Sequence, residues 1–448
     1  MRAKFSSNLG VFFATLGSAV GLGNIWKFPT LTGSNGGAAF LLVYLLATLL
    51  VGLPLLIAET TLGRAARANV ITTFERLAPH KQPWWPIVGW IALAGSLCIT
   101  AFYSEVAGWV YAYIFKAATN QITTTDPQLA AEIFDQLVSD PMASLCWQWL
   151  ALIVTASVVM LGVNKGIEVV TSRLMPLLLL LLLLLCVRSL TLPGVWAGLN
   201  FLFEPDFSKI TPLVVLIALG LAFFKLAIGV GEMFTYGSYF QDDQNIPKTA
   251  LRVMLADLSV SLLAGIAIFP AVFSFGFSPA AGPALIFMSI PAVFAAMPGG
   301  TVFMVIFFLL TAMAGLGAML GLFEVPVSIL TERYGLSRKR ASIVTLLILV
   351  TIGMPAALSQ SITADLKIFG LNPFEFFDFI SSNILLPLGG ILTCLFVGWV
   401  YGLPALRQQL SNNGTLSNNV LIRVLFFVIR YISPLLITIV LLHGLKLI

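Results

Sequence analysis

The chain has 448 residues, of which 59% are hydrophobic and only 10% are charged, and its mean hydropathy is +0.99. This composition excludes an ordinary soluble globular protein and indicates a protein that crosses a membrane many times. The net charge of +5 does not indicate nucleic-acid binding, because no basic run is dense enough, and only two histidines are available for catalysis or metal binding.

Continuous apolar runs predict about eleven transmembrane helices, because an α-helix needs about 20 residues to span a bilayer. A transmembrane β-barrel would instead show short segments of alternating polarity. The predicted fold is therefore all-α, with one membrane domain over residues 1–448. The predicted spans lie at approximately 9–30, 38–63, 86–116, 144–163, 170–192, 211–239, 248–276, 299–332, 339–358, 373–402 and 421–446.

Basic residues are unevenly distributed between the two sides of these spans. If the N-terminus is cytoplasmic, most of them, including Arg64, Arg67 and residues 338–340, lie on the inner side. We therefore expect a multi-pass protein of the cytoplasmic (inner) membrane, surrounded by lipid. The segment 117–143 is expected to be an acidic external loop, and 411–415 a flexible internal linker.

The first span is interrupted at mid-depth by three glycines and Asn24, within residues 17–29. Unwound backbone survives at membrane depth only where protein buries it or where it lines a cavity. Helix ends and free carbonyls at such a break hold charged groups in secondary transporters. The break therefore predicts a binding site; the alternative is a glycine-rich face for close helix packing.

A second interruption falls in span six, where glycines, Lys225 and Glu232 lie within residues 219–232. Corresponding breaks five spans apart indicate two inverted repeats with a site at their interface. The predicted repeats cover about 9–192 and 211–402, and an additional helix covers about 421–446.

At these residues the sequence resembles the neurotransmitter:sodium symporter family, including bacterial amino-acid transporters of the leucine-transporter type. The resemblance covers nearly the whole chain and implies an inverted-repeat bundle of five plus five helices, with substrate between spans one, three, six and eight. Its strongest carriers are residues 17–29, 35–40, 54–63, 103–109, 164–168, 235–239, 264–273 and 378–390.

The resemblance also implies roles for particular positions. The backbone at Leu22 and Gly23 should receive a substrate carboxylate, with the Tyr103 hydroxyl closing over it. The other residues implied at the substrate are Asn24, Ile99, Phe224, Lys225, Ala227, Val230, Ala318 and Leu322. The implied outer gate is formed by Lys27, Asp378, Tyr103 and Phe224, and the implied inner gate by Arg2, Glu332 and Tyr239.

The chain departs from the family at both sodium positions. The first position corresponds to Ala19, Asn24, Lys225 and Asp257, where a lysine replaces the family's threonine or serine. The second corresponds to Gly17, Val20, Ala314, Gly317 and Ala318, where both hydroxyls of span eight are missing. Hard cations need a full set of oxygen ligands, and an ammonium repels a second cation. We therefore expect a Lys225–Asp257 salt bridge in place of the first sodium ion.

Other charges within the spans are functional candidates, since isolated ones are costly in a membrane. Glu59 and Glu324 are expected to act as hydrogen-bonding braces. Glu105 and Glu232 could line a water-filled path and carry a proton, or snorkel towards a helix end, and the sequence does not decide between these alternatives.

The sequence predicts a secondary transporter of a small or apolar amino acid, or a similar zwitterion, working by alternating access. It is expected to be sodium-independent and either proton-coupled or an exchanger, with no resident cofactor and with Na⁺ doubtful. One alternative is ordinary sodium symport through a rebuilt site, and a more distant one is a sensor that binds an amino acid without moving it. No nucleophile, general base or phosphate-binding loop indicates an enzyme.

Overall fold

The computed structural model describes residues 3–278 and 285–447, and the described chain is almost entirely helical. Within those residues, the pairing of Ile368 with Leu371 is the sole β-bridge. The helices in chain order are α1 (Asn8–Ala19), α2 (Gly23–Ser34), α3 (Ala38–Ala66), α4 (Val70–Leu77), α5 (Ile87–Ala118), α6 (Pro127–Ser139), α7 (Pro141–Met160), α8 (Val163–Leu190) and α9 (Val195–Phe203). They continue as α10 (Pro212–Lys225), α11 (Glu232–Gly237), α12 (Ile246–Ser274), α13 (Ile286–Ala295), α14 (Gly300–Arg333), α15 (Arg338–Ala357), α16 (Pro373–Leu410) and α17 (Asn419–Gly444).

Nine helices of the described chain are long and apolar enough to cross a membrane alone, and the bent pair α1 and α2 makes a tenth span. The remaining predicted span, at 211–239, consists of two short helices, α10 and α11, separated by the unwound residues 226–231. The all-helical, multi-pass fold predicted from the apolar runs is confirmed.

Helix starts follow the local sequence. Ser7 accepts a hydrogen bond from the Gly10 amide before α1, and Thr211 caps α10, whose first residue is a proline. At the start of α16, Asn372 and Glu375 cap each other's backbone amides reciprocally. These side chains satisfy amides that have no partner within the helix, which matters in a medium without water.

The two breaks lie where glycine allows unusual backbone. α1 ends before Val20, whose backbone is extended, and α2 then continues at an angle of 53° to α1. In the second break, Gly229 and Gly231 have φ of +85° and +82°, and Ala227 has φ of +49°. Left-handed backbone is favourable for glycine and costly for alanine, so a strained Ala227 marks a segment fixed by its surroundings.

The breaks meet at the centre of the bundle. α5 and α14 pack against each other along their lengths, and α1 packs against α8, α12 and α14. Both halves of the second broken span, α10 and α11, lie against α3. The two breaks therefore form two walls of a central space, and α5 and α14 form the others.

Two expectations about loops are wrong. The segment 117–143 contains the helix α6, which starts at the cap Asp126 and stacks Phe134 on Phe287 at 5.1 Å between ring centroids. The segment 411–415 is a fixed turn, because the Asn412 side chain accepts from Arg64 and donates to the Asp243 carbonyl. In both cases tertiary contacts order a stretch whose polarity suggested a loop.

Candidate substrate site

A cavity of about 30 Å³ lies between the two breaks. Such a volume holds little more than a water molecule, so the walls lie close together. All of the predicted substrate residues line it except Leu22, Asn24 and Val230. The lining residues are Ser18, Ala19, Gly21, Gly23, Ile99, Tyr103, Phe224, Lys225, Ala227, Glu232, Ala318 and Leu322.

Tyr103 on α5 reaches the first break. The Leu22 amide donates to the Tyr103 hydroxyl oxygen with an N–O distance of 2.7 Å, and both residues are buried. A Cβ on Gly21 would lie 2.6 Å from the same hydroxyl, so only glycine lets the tyrosine approach. The Tyr103 hydroxyl thus accepts the hydrogen bond that the Leu22 amide would donate to the predicted substrate carboxylate.

Lys225, the last residue of α10, forms the predicted salt bridge with Asp257 on α12. The Lys225 Nζ lies 2.9 Å from Asp257 Oδ2, and neither side chain is exposed. The ammonium also donates to the Tyr44 hydroxyl at 2.9 Å and to Ser261 Oγ. These three acceptors use all three ammonium hydrogens. Lys225 therefore places a positive charge beside the cavity but has no hydrogen left to donate to a ligand.

Asn24 orients this cluster from the first break. Its Nδ2 donates to Asp257 Oδ1 at 2.7 Å and to Ser261 Oγ at 3.1 Å, while its Oδ1 accepts from the Gly21 amide. Asp257 therefore holds one donor on each carboxylate oxygen. The residues predicted at the first sodium position form a buried hydrogen-bonded network built on Lys225, Asp257, Asn24, Ser261 and Tyr44.

At the predicted second sodium position, two helix backbones lie in close contact. A Cβ added to Gly317 on α14 would lie only 2.5 Å from the Gly17 carbonyl oxygen on α1. The carbonyl predicted as a ligand thus packs directly on the α14 backbone, beside the apolar Ala314 and Ala318. A serine or threonine at 317 would not fit without moving one of the two helices.

The outer-gate residues are in contact. Lys27 Nζ lies 3.0 Å from Asp378 Oδ1 and 3.6 Å from the centroid of the Phe224 ring. A cation over an aromatic face is attracted by the ring's quadrupole, so Phe224 holds the lysine beside Asp378 as well as lining the cavity. The pair lies at the base of a vestibule of about 690 Å³ lined by Trp26, Trp109 and Phe374, among others.

The opposite end is closed by the N-terminal segment. Phe5 packs edge-on against Tyr236 and Tyr239, and the Ser6 amide donates to Glu168 at 2.9 Å. Of the predicted inner gate, Arg2 lies outside the described residues. Glu332 accepts from the backbone amide and the side chain of Asn69, at 2.7 and 3.1 Å.

Tyr239 contributes to a neighbouring cluster that sequence reasoning missed. Its hydroxyl donates to Glu324 Oε1 at 2.6 Å, and Arg338 forms a two-pronged salt bridge with the same carboxylate. Glu324 was expected to brace the bundle by hydrogen bonds, and its partner is this arginine. The sequence indicates only that Arg338 belongs to the basic inner side, although it follows α14 by a short turn.

Two other carboxylates are buried away from the cavity lining. Glu59 on α3 accepts from the Gly229 amide at 2.8 Å and so fixes the second break. Glu105 on α5 accepts from the Trp109 indole at 2.6 Å. Neither reaches a surface, which excludes the snorkelling alternative for Glu105.

Glu232 is the cavity residue that the sequence did not place. It is the first residue of α11, it is fully buried, and it faces the same cavity as Lys225. Neither of its carboxylate oxygens has a hydrogen-bond partner among the described residues, and the nearby Ser18 hydroxyl does not complete one of normal geometry. The predicted apolar pocket therefore also contains an acidic group.

A bundle of membrane-spanning helices with two opposed breaks and a cavity between them is the arrangement of a secondary transporter. The model of the Sodium:neurotransmitter symporter family matches residues 2–130 and 128–448. The chain belongs to this family, and it is a transporter and not an enzyme.

Relatives and a solved structure agree over the whole length. YhdH of Bacillus subtilis, named as a sodium-dependent transporter, is 39% identical over 98% of this chain and 97% of its own. A protein of Haemophilus influenzae with a similar name is 33% identical over 99% and 98%. The crystal structure of MhsT in complex with L-phenylalanine is 40% identical, covers 99% of this chain and 100% of its own, and superposes with a TM-score of 0.91. The fold is thus the leucine-transporter fold.

Proposed function

We propose that this protein moves a small or apolar amino acid, or a similar zwitterion, by alternating access without sodium at the first ion position. The observation that carries the proposal is the Lys225–Asp257 pair, with a 2.9 Å N–O distance and no exposure of either side chain. An ammonium fixed there would repel a second cation, and the oxygens that would bind it are already used.

The proposed substrate class is supported by the residues that line the cavity and by the solved structure of MhsT. MhsT binds L-phenylalanine in its crystal structure, and this chain shares its fold over nearly the full length. The walls of Ala227, Ala318 and Leu322 are apolar and offer no partner for a charged side chain. A few polar groups fix orientation in such pockets, and apolar walls select shape.

The Lys225 ammonium supplies the positive charge that a sodium ion would supply, but it cannot dissociate from the protein. A tethered cation keeps the site balanced when a substrate carboxylate arrives, but it cannot leave with the substrate. A sodium gradient therefore cannot act through this position, and a proton or exchange against internal substrate remains as the drive. The expected setting is the cytoplasmic membrane, with the N-terminus in the cytoplasm.

Ordinary sodium symport is the second candidate, and the names of the two bacterial relatives favour it. It requires that Na⁺ bind in spite of the lysine and of the close contact between Gly17 and Gly317. A sensor that binds an amino acid without transporting it remains the more distant alternative. Uptake of substrate by the reconstituted protein would exclude it.

The deciding experiment measures amino-acid binding across Na⁺ concentrations, with choline as replacement, in the wild type and in Lys225→Thr and Asp257→Ala. We expect sodium-insensitive binding in the wild type and its loss in both variants. Lys248→Thr, a change of an exposed lysine at the start of α12, is the matched control and should bind like the wild type. Wild-type binding that requires Na⁺ contradicts the proposal.

A further inference from the structure

Glu232 occupies a place shaped for a carboxylate. A Cβ on Gly321 of α14 would lie 1.4 Å from Glu232 Oε1, so the missing side chain at 321 provides the space that the carboxylate fills. Glu232 is completely buried and lies at the junction between the second break and α11. In transporters of this architecture, such junctions change their exposure to water as the site opens to either side.

None of the described groups around Glu232 donates a hydrogen bond of normal geometry to its carboxylate. Ser18 faces it from α1, Tyr103 from α5 and Tyr236 from its own helix, while Glu59 on α3 is a second carboxyl within electrostatic range. Gly321 on α14 offers no side chain. An ionised carboxylate without a partner is very unfavourable in such a cavity, so in the closed state Glu232 holds a proton.

The cation of the cavity does not change this conclusion. Lys225 lines the same space, but Asp257 neutralises its charge and its three hydrogens go to Tyr44, Asp257 and Ser261. The ammonium therefore has no hydrogen left to donate to the Glu232 carboxylate. Asp257 lies behind Lys225 with a donor on each oxygen, whereas Glu232 lines the cavity itself and has no such partner in the described part of the chain.

We propose that Glu232 is the proton-binding site of this transporter and that its proton moves with the substrate. When the cavity is open, water solvates the ionised carboxylate. When substrate enters and the cavity closes, this water is removed, and the carboxylate takes up one proton from the medium on that side. Opening on the other side returns the proton to water as the substrate leaves. The inference rests on the proposed function and assigns the drive that the proposed function left open.

The test is uptake into sodium-free liposomes with the membrane potential clamped at zero. One coupled proton supports about tenfold accumulation for each unit of pH difference, because one unit is a factor of ten in proton activity. We expect the wild type to accumulate substrate about tenfold when the interior is one unit more alkaline. Glu232→Gln keeps the shape without a titratable proton, and it should show no accumulation while still exchanging labelled for unlabelled substrate at a reduced rate.

Glu105→Gln is the matched control, since Glu105 is also a buried carboxyl but lies outside the cavity lining. It should accumulate substrate like the wild type. Binding provides a second measurement: wild-type affinity should fall as pH rises, because the bound state carries the additional proton, and affinity in Glu232→Gln should not change with pH. Accumulation by Glu232→Gln equal to that of the wild type overturns the inference, and so does wild-type accumulation that ignores the pH gradient.

If Glu232→Gln does not fold, a measurement on the wild type alone tests the inference. In weakly buffered detergent solution, substrate binding should take up protons from the medium, and no uptake at any pH between 5 and 9 overturns the inference. Failure of the proposed function looks different, because binding or accumulation would then require Na⁺. Sodium-independent exchange that ignores pH would leave the proposed function standing and remove only the role of Glu232.

Discussion

Lys225 and Glu232 line the same cavity but have opposite surroundings. Every hydrogen of the lysine ammonium has an acceptor, and its counterion Asp257 is held in turn by Asn24. Glu232 has a space of the right shape beside Gly321 and no hydrogen-bond partner among the described residues. A buried charge whose partners are all present acts as part of the framework, whereas a buried titratable group without a hydrogen-bond partner responds to what enters the cavity.

The comparison can be tested most strongly by breaking the saturated pair. Asp257→Ala leaves an unpaired lysine in a dry site and should cost about 3–5 kcal/mol of stability, or prevent folding. The double variant Asp257→Ala with Lys225→Met should recover much of that loss, because an apolar pair leaves no charge unpaired. Thermal unfolding in detergent measures both.

The control for this prediction is an exposed carboxylate. A hydrogen bond from Arg67 lowers the pKa of Asp242, but this surface ion pair should contribute only about 0–1 kcal/mol. Asp242→Ala should therefore unfold close to the wild-type temperature. A loss in Asp257→Ala no larger than in Asp242→Ala would show that the buried network is not a framework.

The space beside Glu232 is tested by filling it. Gly321→Ala places a methyl group on the carboxylate and should destabilise the protein by about 1–3 kcal/mol through overpacking. Glu232→Ala in the same chain should remove the clash and restore stability. Gly220→Ala is the matched control, since nothing lies within 4 Å of the added Cβ. Equal melting temperatures for Gly321→Ala and Gly220→Ala would contradict the close fit.

Tyr103 lines the same cavity as Lys225 and Glu232 and accepts a hydrogen bond from the first break. If its hydroxyl moves from the Leu22 amide to the substrate carboxylate, Tyr103→Phe should weaken binding by about 1–3 kcal/mol in a well-folded protein. Calorimetric titration with the preferred amino acid measures the change. Unaltered affinity would reduce Tyr103 to a packing residue.

The smallest effect is expected from neutralising Glu232. Because the closed state already holds this group uncharged, Glu232→Gln should change stability at neutral pH by less than about 1 kcal/mol. Asp257→Asn, which removes a charge that is paired, should cost clearly more. The comparison of the two melting temperatures is decisive: a larger loss in Glu232→Gln would mean that Glu232 is ionised and has a partner in the native protein.

Much of this site follows from the sequence because its signals are local. Glycines and charges inside apolar runs predicted both breaks, and the cost of a lone lysine predicted that Lys225 and Asp257 would meet. The positions of Tyr103 and Phe224 followed from the resemblance to the family. The division into repeats and the roles of the individual residues remain predictions.

Other features depend on tertiary contacts that have no local signal. The space for Glu232 is created by a glycine 89 positions away in the chain, and a glycine in an apolar helix has many possible reasons. Arg338 looked like one of several basic residues at a membrane edge until the fold placed Glu324 beside it. Likewise, α6 lies in a polar segment whose order comes from packing of Phe134 on α13.

The contact between Gly17 and Gly317 has a consequence for the timing of the transport cycle. An ion lodged between α1 and α14 would have to arrive before these helices could close and depart before they could separate. A carbonyl resting on a glycine needs neither event, so this contact closes without waiting for a metal ion. The return of the unloaded carrier then has no sodium-release step to wait for, and its rate should be the same in potassium, choline or sodium salts.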